Sequence, residues 1–460
     1  MPEPSESPVA QLSQLLAGPG SSGKHQAAAR SAAGPSVVSA PNVALSVRGG
    51  APLRGAVAIG GAKNAALPIM AASLLTSGTC TIRNVPRIED IATLTDLLRS
   101  LGARVEFPEP HTAVIDASNL TSTRAPAEFV TKMRASFLVM GPLLARLGCA
   151  EAAHPGGCEI GIRPVNVDVE GFRSMGAAVL NDDAAYHVEC RRLHGARMYL
   201  DYPSHTGTEN LMMAACLADG ETVIRHASME PEVVDLAQFL NSMGARIRGA
   251  GTSTVVVDGV PKLHGSDYTV MPDRLIAGTF LAAGLITHGD VTVEDVIPDH
   301  LDPVIYKLGH MGSEVDTWGR AIRCRWPASG RLERVDIQAI HYPGFPTDLQ
   351  AVFGALLTQA HGPSTIHERV FENRLGYATQ LNAMGARIEV SAQTATIHGP
   401  TPLHGATISA LDIRSGAALT LAALSAEGET RINDAYHVDR GYEDLVDVLR
   451  RLGGDIDRQC

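Results

Sequence analysis

Four places along the 460-residue chain hold residues that could do chemistry. The sharpest is His154-Pro155-Gly156-Gly157-Cys158-Glu159-Ile160-Gly161-Ile162-Arg163-Pro164-Val165. Its glycines and prolines predict a loop, with a thiol five residues before a guanidinium. A loop cysteine beside a cation has a depressed pKa and can serve as acid, base or nucleophile. The lesser reading of the loop by itself is a turn with a bystander thiol. The second place is Gly60-Gly61-Ala62-Lys63-Asn64, a glycine-rich turn before a lysine. That is a phosphate-site signal, although it lacks the G-x-x-x-x-G-K-[ST] pattern. The third is Phe345-Pro346-Thr347-Asp348-Leu349-Gln350, which sets a carboxylate at a helix start. Asp348 there is either a base for a hydroxyl proton or a helix cap. The fourth is a set of arginines at helix starts, Arg134, Arg274 and Arg414, in a chain of net charge -11. Cations pooled in an acidic protein focus an anion.

The elements that must position these residues repeat. Six long apolar helices begin on polar or charged residues, near Gly61, Met133, Ser204, Pro272, Pro346 and Asp412. Each runs toward a glycine: Gly78, Gly148, Gly220, Gly289, Gly362 and Gly428. A short strand follows in most copies, such as Thr79-Ile82 or Val291-Val293. A second helix then closes on Leu101-Gly102-Ala103, Met175-Gly176-Ala177, Met243-Gly244-Ala245, Met311-Gly312-Ser313, Met384-Gly385-Ala386 or Leu452-Gly453-Gly454. Successive glycines of this signature lie 74, 68, 68, 73 and 68 residues apart. A unit recurring six times defines a repeat architecture. Each unit reads strand, helix, strand, helix, strand, strand. The first helix is apolar all round and predicts burial.

The pattern predicts an α/β protein of two domains, each an inside-out α/β barrel with helices inside and sheets outside. Units one to three, 63–271, form one domain; 44–62 with 272–460 form the other. With the buried helices pointing one way, Lys63, Asn64, Arg134, Ser204, Arg274, Asp348 and Arg414 gather at the cleft between them. Helix N-termini carry free N–H groups and partial positive charge, which suits phosphate or carboxylate. Residues 1–42, rich in Ala, Ser, Gly and Pro, read as a disordered tail. That stretch has no signal-peptide pattern, and no apolar run is long enough to span a membrane. Seven scattered cysteines without a C-x-x-C pair fit a reducing compartment and neither a zinc site nor a disulfide frame. The acidic balance argues against a nucleic-acid partner. The expected location is the cytoplasm.

The strings GAKNAALPI, MRAS, PGGCxIGxRPV, TENLMMAA, EPEVVDL, FPTDLQ, VFENR and HVDRGYEDL, in order over about 44–457, resemble the UDP-N-acetylglucosamine enolpyruvyl transferases. At fold level the chain is also similar to the shikimate-phosphate enolpyruvyl transferases. The resemblance implies the six-unit inside-out fold, phosphoenolpyruvate and a uridine nucleotide sugar as small-molecule substrates, and no metal or organic cofactor. It implies that Cys158 gives a proton to C3 of phosphoenolpyruvate and is the alkylation site of fosfomycin. It places Lys63, Arg163 and Arg440 on the phosphate and carboxylate of that donor. Arg134, Arg374 and Arg414 match further cleft arginines. Asp348 would take the proton of the attacking sugar 3-hydroxyl, and Asn64 with the backbone at Val370 and Phe371 would position the sugar. Pro164, Val165, Asn166, Val167, Tyr202, Ser204, His205 and Thr206 match the nucleotide side.

That nucleotide side is where the chain departs from the pattern. After Arg163-Pro164-Val165 the family commonly has Asp and then His two residues on; here stand Asn166 and Asp168. The nucleotide loop often reads S-V-G-A-T; here it is Ser204-His205-Thr206-Gly207-Thr208. Tyr202 stands where some members have a lysine, and Ile276 where an acidic residue is frequent. Two readings of the acceptor therefore stay open: UDP-N-acetylglucosamine, for peptidoglycan, or another uridine nucleotide such as UMP, for nucleoside-antibiotic synthesis. A catalytically silent paralogue would have lost Cys158, Lys63, Asp348 or Arg440, and all four are present.

Overall fold

A computed structural model of the chain describes residues 43–156, 160–161, 165–182 and 184–459. The expected tail, 1–42, lies outside the described residues, as do Cys158, Arg163 and Pro164.

The repeat resolves into six sheets, each of four strands along its path, with one further strand on one of them. Within a sheet the strand after the buried helix is central. In the third unit, Glu221–Arg225 pairs parallel with Arg197–Tyr199 and antiparallel with Thr254–Asp258, which in turn pairs with Arg246–Arg248. The third unit's last strand, Asp267–Thr269, returns to lie parallel on Cys80–Arg83 of the first. That closes a ring of three sheets. The other three sheets need the N-terminal segment: Arg54–Ala58 pairs with Asp290–Glu294, and Ala44–Arg48 sits between Glu429–Asn433 and Asp455–Gln459.

Inside the rings stand the apolar helices. Three lie in one core: Lys63–Ala72, Met140–Leu147 with a 3₁₀ entry at Arg134–Val139, and His205–Ala215. The other core holds Arg274–Ile286, Gln350–Leu357 with a 3₁₀ entry at Thr347–Leu349, and Ile413–Ser425. Twelve of the thirteen residues of Ile413–Ser425 are buried, which a helix ringed by sheet requires and a surface helix never shows. Such central helices pack closely only through small residues. A Cβ on Gly141 would sit 2.4 Å from the carbonyl oxygen of Asn210 on the neighbouring helix. This is why the sequence has few aromatics and 45 Gly.

The six signature glycines have one physical cause. Gly102, Gly176, Gly244, Gly312, Gly385 and Gly453 all take positive φ, between 84° and 104°, just past the second helix of each unit. The left-handed residue lets the next amide reach back; Ala103 N donates to Leu98 O at 3.1 Å. This helix-end motif favours glycine because a Cβ is disfavoured at positive φ.

One hydrophobic core runs from Ala62 to Met271, and the other gathers Leu45 to Ile59 with Leu275 to Ile456. The chain's two passages between them pair with each other: Ala62 N donates to Met271 O (2.8 Å) and Asp273 N to Gly60 O (2.9 Å). No helix among the described residues is long and apolar enough to cross a membrane.

Candidate active site

The starts of the central helices converge on one cavity of about 610 Å³. Lys63, Asn64, Arg134, Ser204, Arg274, Asp348 and Arg414, the seven residues expected to gather, all line it. So do Tyr202, His205, Thr206, Val370, Arg374 and Arg440. Three residues expected on the nucleotide side do not. Val165 and Val167 are buried in the first core, and Asn166 is exposed at the first position of helix Asn166–Ser174.

The helix starts are capped so that cations face the cavity. Asp412 Oδ1 accepts from the amides of Arg414 (2.7 Å) and Ser415 (2.9 Å), and Ser415 Oγ returns a bond in a capping box. Asp273 serves two helices. Its Oδ1 caps Leu275 N (2.8 Å) and Ile276 N (3.1 Å), and its Oδ2 accepts from Lys63 N at 3.2 Å across the paired passages. Ser204 Oγ accepts from Gly207 N at 3.1 Å.

Two cation pairs are then closed by one carboxylate each. Asp90, at the start of helix Glu89–Ser100, lies 2.6 Å from Lys63 Nζ and 3.0 Å from Arg440 Nε. Asp348 Oδ1 accepts from Arg374 Nη2 at 2.7 Å, and its Oδ2 accepts from Arg414 Nη2 at 3.0 Å and Nε at 3.1 Å. Burial pushes the Asp348 carboxyl up, but Arg374 and Arg414 overcome it and hold the group far below the usual carboxylate range. Burial lowers the Lys63 ammonium, against the pull of Asp90. The Asp90 clamp also reaches across the molecule: Asp90 and Lys63 sit beside the first core, Arg440 beside the second.

Arg274, expected as a cleft cation, is paired with Glu230 (2.5 Å) and Glu232 (3.1 Å). Beside it His205 Nε2 lies 3.1 Å from Glu209 Oε1. Burial would lower the imidazole, but Glu209, Glu232 and Glu230 carry it up to about 9, so this wall of the cavity holds an imidazolium at neutral pH. The backbone at Val370 and Phe371 is also committed, since both amides donate to Glu368 Oε1, at 2.7 and 3.2 Å. Of the cysteine loop, 154–156, Ile160, Gly161 and Val165 are described. Asn373 N donates to Ile160 O at 3.0 Å, and a Cβ on Gly161 would meet the Glu372 carboxylate at 2.2 Å. The loop's end thus presses on the far wall of the cavity.

Sequence reasoning missed Asp90, Glu209, Glu230 and Glu232. Asp90 reads as an ordinary acidic residue in a first helical turn, and only its burial at 3 % exposure marks it as different. Asp168, one of the departures noted above, is buried outside the cavity lining. Its Oδ1 accepts from Asn210 Nδ2 at 2.8 Å, and Asn210 Oδ1 accepts from Gly141 N at 2.7 Å. Burial pushes the Asp168 carboxyl up to about 6, against the opposing pulls of Asn210 and Arg134. A carboxyl raised above its unfolded value stabilises the fold most while protonated in both states. That stability is lost as pH rises from about 4 through 6. Asp168→Asn keeps an acceptor for Asn210 and removes the buried charge. It is expected to raise the unfolding free energy at pH 7.5 by about 1–3 kcal/mol, and by little at pH 4, in urea titrations.

Among the described residues no group of His, Cys, Asp and Glu is placed to hold a metal ion. The arrangement is a cavity holding two cation pairs, each closed by one carboxylate, with Asp348 facing the cavity and Ile160 in its lining.

A family model, EPSP synthase (3-phosphoshikimate 1-carboxyvinyltransferase), matches residues 47–449. The UDP-N-acetylglucosamine 1-carboxyvinyltransferase of Finegoldia magna is 48 % identical over 407 residues, 88 % of this chain and 96 % of that one. UDP-N-acetylglucosamine 1-carboxyvinyltransferase 2 of Carboxydothermus hydrogenoformans is 49 % identical over 408 residues, 88 % and 97 % of the two chains. Among solved structures, the enolpyruvyl transferase NikO of Streptomyces tendae superposes with a TM-score of 0.83 at 28 % identity, covering 91 % of this chain and 99 % of that one. EPSP synthase of Acinetobacter baumannii, with a TM-score of 0.71 at 19 % identity over 91 % and 100 %, shares the two-domain inside-out fold. Six repeats around two buried helix triplets, an anion cavity at their helix starts and this span of likeness lead to one statement: the chain belongs to the EPSP synthase family of enolpyruvyl transferases, with the UDP-N-acetylglucosamine 1-carboxyvinyltransferases.

Proposed function

We propose that the chain transfers the enolpyruvyl group of phosphoenolpyruvate to the 3-hydroxyl of UDP-N-acetylglucosamine, releasing phosphate, as the first committed step of peptidoglycan synthesis in the cytoplasm. The observation that carries this reading is the pair of clamps in one cavity, Lys63 and Arg440 on Asp90, Arg374 and Arg414 on Asp348. A small donor bearing both a phosphate and a carboxylate matches two such sites. The names of relatives at 48–49 % identity supply the acceptor.

The chemistry assigns the groups as follows. Cys158 Sγ–H protonates the donor methylene, which leaves C2 oxocarbenium-like. The acceptor hydroxyl oxygen bonds to C2 as its proton passes to Asp348, giving a tetrahedral phospho-ketal. The C2–O bond to phosphate then breaks as the leaving oxygen takes the proton from Asp348, and a methyl proton returns to the Cys158 thiolate, which restores the double bond. Lys63, Arg163 and Arg440 balance the phosphate charge as it moves. Ser204, His205, Thr206, Tyr202 and Arg134 line the acceptor's side, and Asn64 orients its sugar. We assign residues 63–271 and 44–62 with 272–460 as two domains hinged at the paired passages, so that closure excludes water from the intermediate.

The test is phosphate release from phosphoenolpyruvate with UDP-N-acetylglucosamine and with UMP as parallel acceptors. Turnover with the sugar nucleotide upholds the reading. Turnover with UMP alone overturns it in favour of the nucleoside-antibiotic reading, with Tyr202 and His205, the departures that line the cavity, setting the acceptor. Cys158→Ser is expected to lower turnover by about a hundredfold, the contribution of a positioned acid. It also removes fosfomycin inactivation while leaving the circular dichroism spectrum intact. Unchanged turnover and unchanged inactivation would remove Cys158 from its role.

A further inference from the structure

The two clamps look alike and are built differently. Asp90 is sealed, its side chain 5 % exposed, and it joins cations from opposite sides of the cavity. Asp348 is open to the cavity, its side chain 24 % exposed, while the guanidinium groups it holds are only 7 % and 6 % exposed. Those guanidiniums are fixed by other contacts. Arg374 Nη1 donates to Thr347 Oγ1 at 2.8 Å, and the Arg374 guanidinium lies over the Phe371 ring at 5.1 Å. The Arg414 guanidinium lies over the Tyr442 ring at 5.4 Å. Arg414 Nη1 is buried without a hydrogen-bond partner among the described residues. The cations are therefore the fixed part of this clamp and the carboxylate is the part that can leave.

A carboxylate accepting from two guanidiniums through both oxygens has little affinity left for a proton. The pull of Arg374 and Arg414 on the Asp348 carboxyl expresses this. Asp348 cannot hold both arginines and also serve as base. An incoming carboxylate of the same planar two-oxygen shape competes for the same fork at no change in net charge.

We propose that Asp348 is a displaceable stand-in for the donor's carboxylate: the carboxylate of phosphoenolpyruvate takes over Arg374 and Arg414, and that exchange frees Asp348 to accept the acceptor's hydroxyl proton. This rests on the enolpyruvyl reading above and adds an order to it. The exchange makes and breaks hydrogen bonds only; the one proton that later moves goes from the acceptor hydroxyl to Asp348. The acceptor alone meets a carboxylate that is already engaged. Donor binding is then weakened by the carboxylate it must displace, a free-energy coupling that is reciprocal between the two events.

The test is a calorimetric Kd for phosphoenolpyruvate, and for inorganic phosphate, without acceptor, in the wild-type chain and in Asp348→Asn. The variant is expected to bind the donor about tenfold more tightly, the scale of a competing charged hydrogen bond removed, although it no longer turns over. A simple base would tighten phosphoenolpyruvate and inorganic phosphate alike, through the loss of one nearby charge, and a residue that only organises the site would weaken the donor; either result overturns the proposal. Asp348→Ser carries the same expectation should the Asn variant not fold. A wild-type chain that releases no phosphate from phosphoenolpyruvate with either acceptor would overturn the enolpyruvyl reading and this inference together. Wild-type turnover with an unimproved variant Kd would overturn the exchange alone.

Discussion

Asp90→Ala is expected to lower kcat/KM for phosphoenolpyruvate by about a thousandfold at pH 7, the upper range for loss of a preorganised charge contact. The effect is large because one side chain holds two cations. Lys63 Nζ and Arg440 Nε lie 2.6 and 3.0 Å from its oxygens. Without Asp90 the two cations repel and lose their fixed spacing. Lys63 also loses its charge more readily: burial already lowers it, Arg414 and Arg440 lower it further, and Asp90 is what opposes them. The sign of the pH effect follows. A lysine of lowered pKa regains its proton as pH falls, so part of the lost kcat/KM returns as pH is lowered. Asp90→Asn keeps one acceptor and is expected to lose less. Parallel pH profiles of kcat/KM for the two variants check both statements. A profile for Asp90→Ala parallel to wild type would show that Lys63 keeps its charge without Asp90.

Asp90 also marks how far sequence reasoning reaches here. The spacing of Gly102, Gly176, Gly244, Gly312, Gly385 and Gly453 exposed the six units, because a left-handed helix end leaves glycine in the sequence wherever it recurs. Buried helices were legible from their all-round apolar faces, and the convergence of Lys63, Arg134, Asp348 and Arg414 from their place at equivalent starts. The strand extents were shorter than found: Val291-Val293 belongs to the five-residue strand Asp290–Glu294. Long-range pairing left no local mark. Arg414 stands 66 positions from Asp348, and Arg440 stands 350 from Asp90. Only the fold decides which charges meet. For the same reason the sequence placed Arg274 at the cavity but did not show that Glu230 and Glu232 lie against it. Val165 and Val167 match a binding motif in sequence, yet their side chains serve the first core.

Arg414→Met tests the other clamp through stability as well as rate. The wild-type guanidinium is 6 % exposed and fills its place beside Asp348 and over Tyr442. Methionine roughly keeps the volume and removes the charge. Asp348 then keeps Arg374 alone, and the unfolding free energy at pH 7 is expected to fall by about 3 kcal/mol, the low end for breaking a buried pair. The pH dependence separates this from lost packing. A carboxyl held below its unfolded value adds stability that is present above about pH 4 and is lost as pH falls toward the folded value. The difference between wild type and Arg414→Met should therefore shrink in urea titrations taken from pH 7 down to pH 3; a packing defect would persist across that range. Pairing the substitution with Asp348→Asn supplies the second control. If the two residues act on each other, the double variant is less destabilised than the sum of the singles, with a coupling of about 1–3 kcal/mol. Turnover is expected to fall about a thousandfold in Arg414→Met, because the donor then meets half a fork. Strict additivity, or a pH-independent difference, would mean that the Asp348–Arg414 contact contributes no electrostatic stability. The exchange argued for Asp348 would then have nothing to displace.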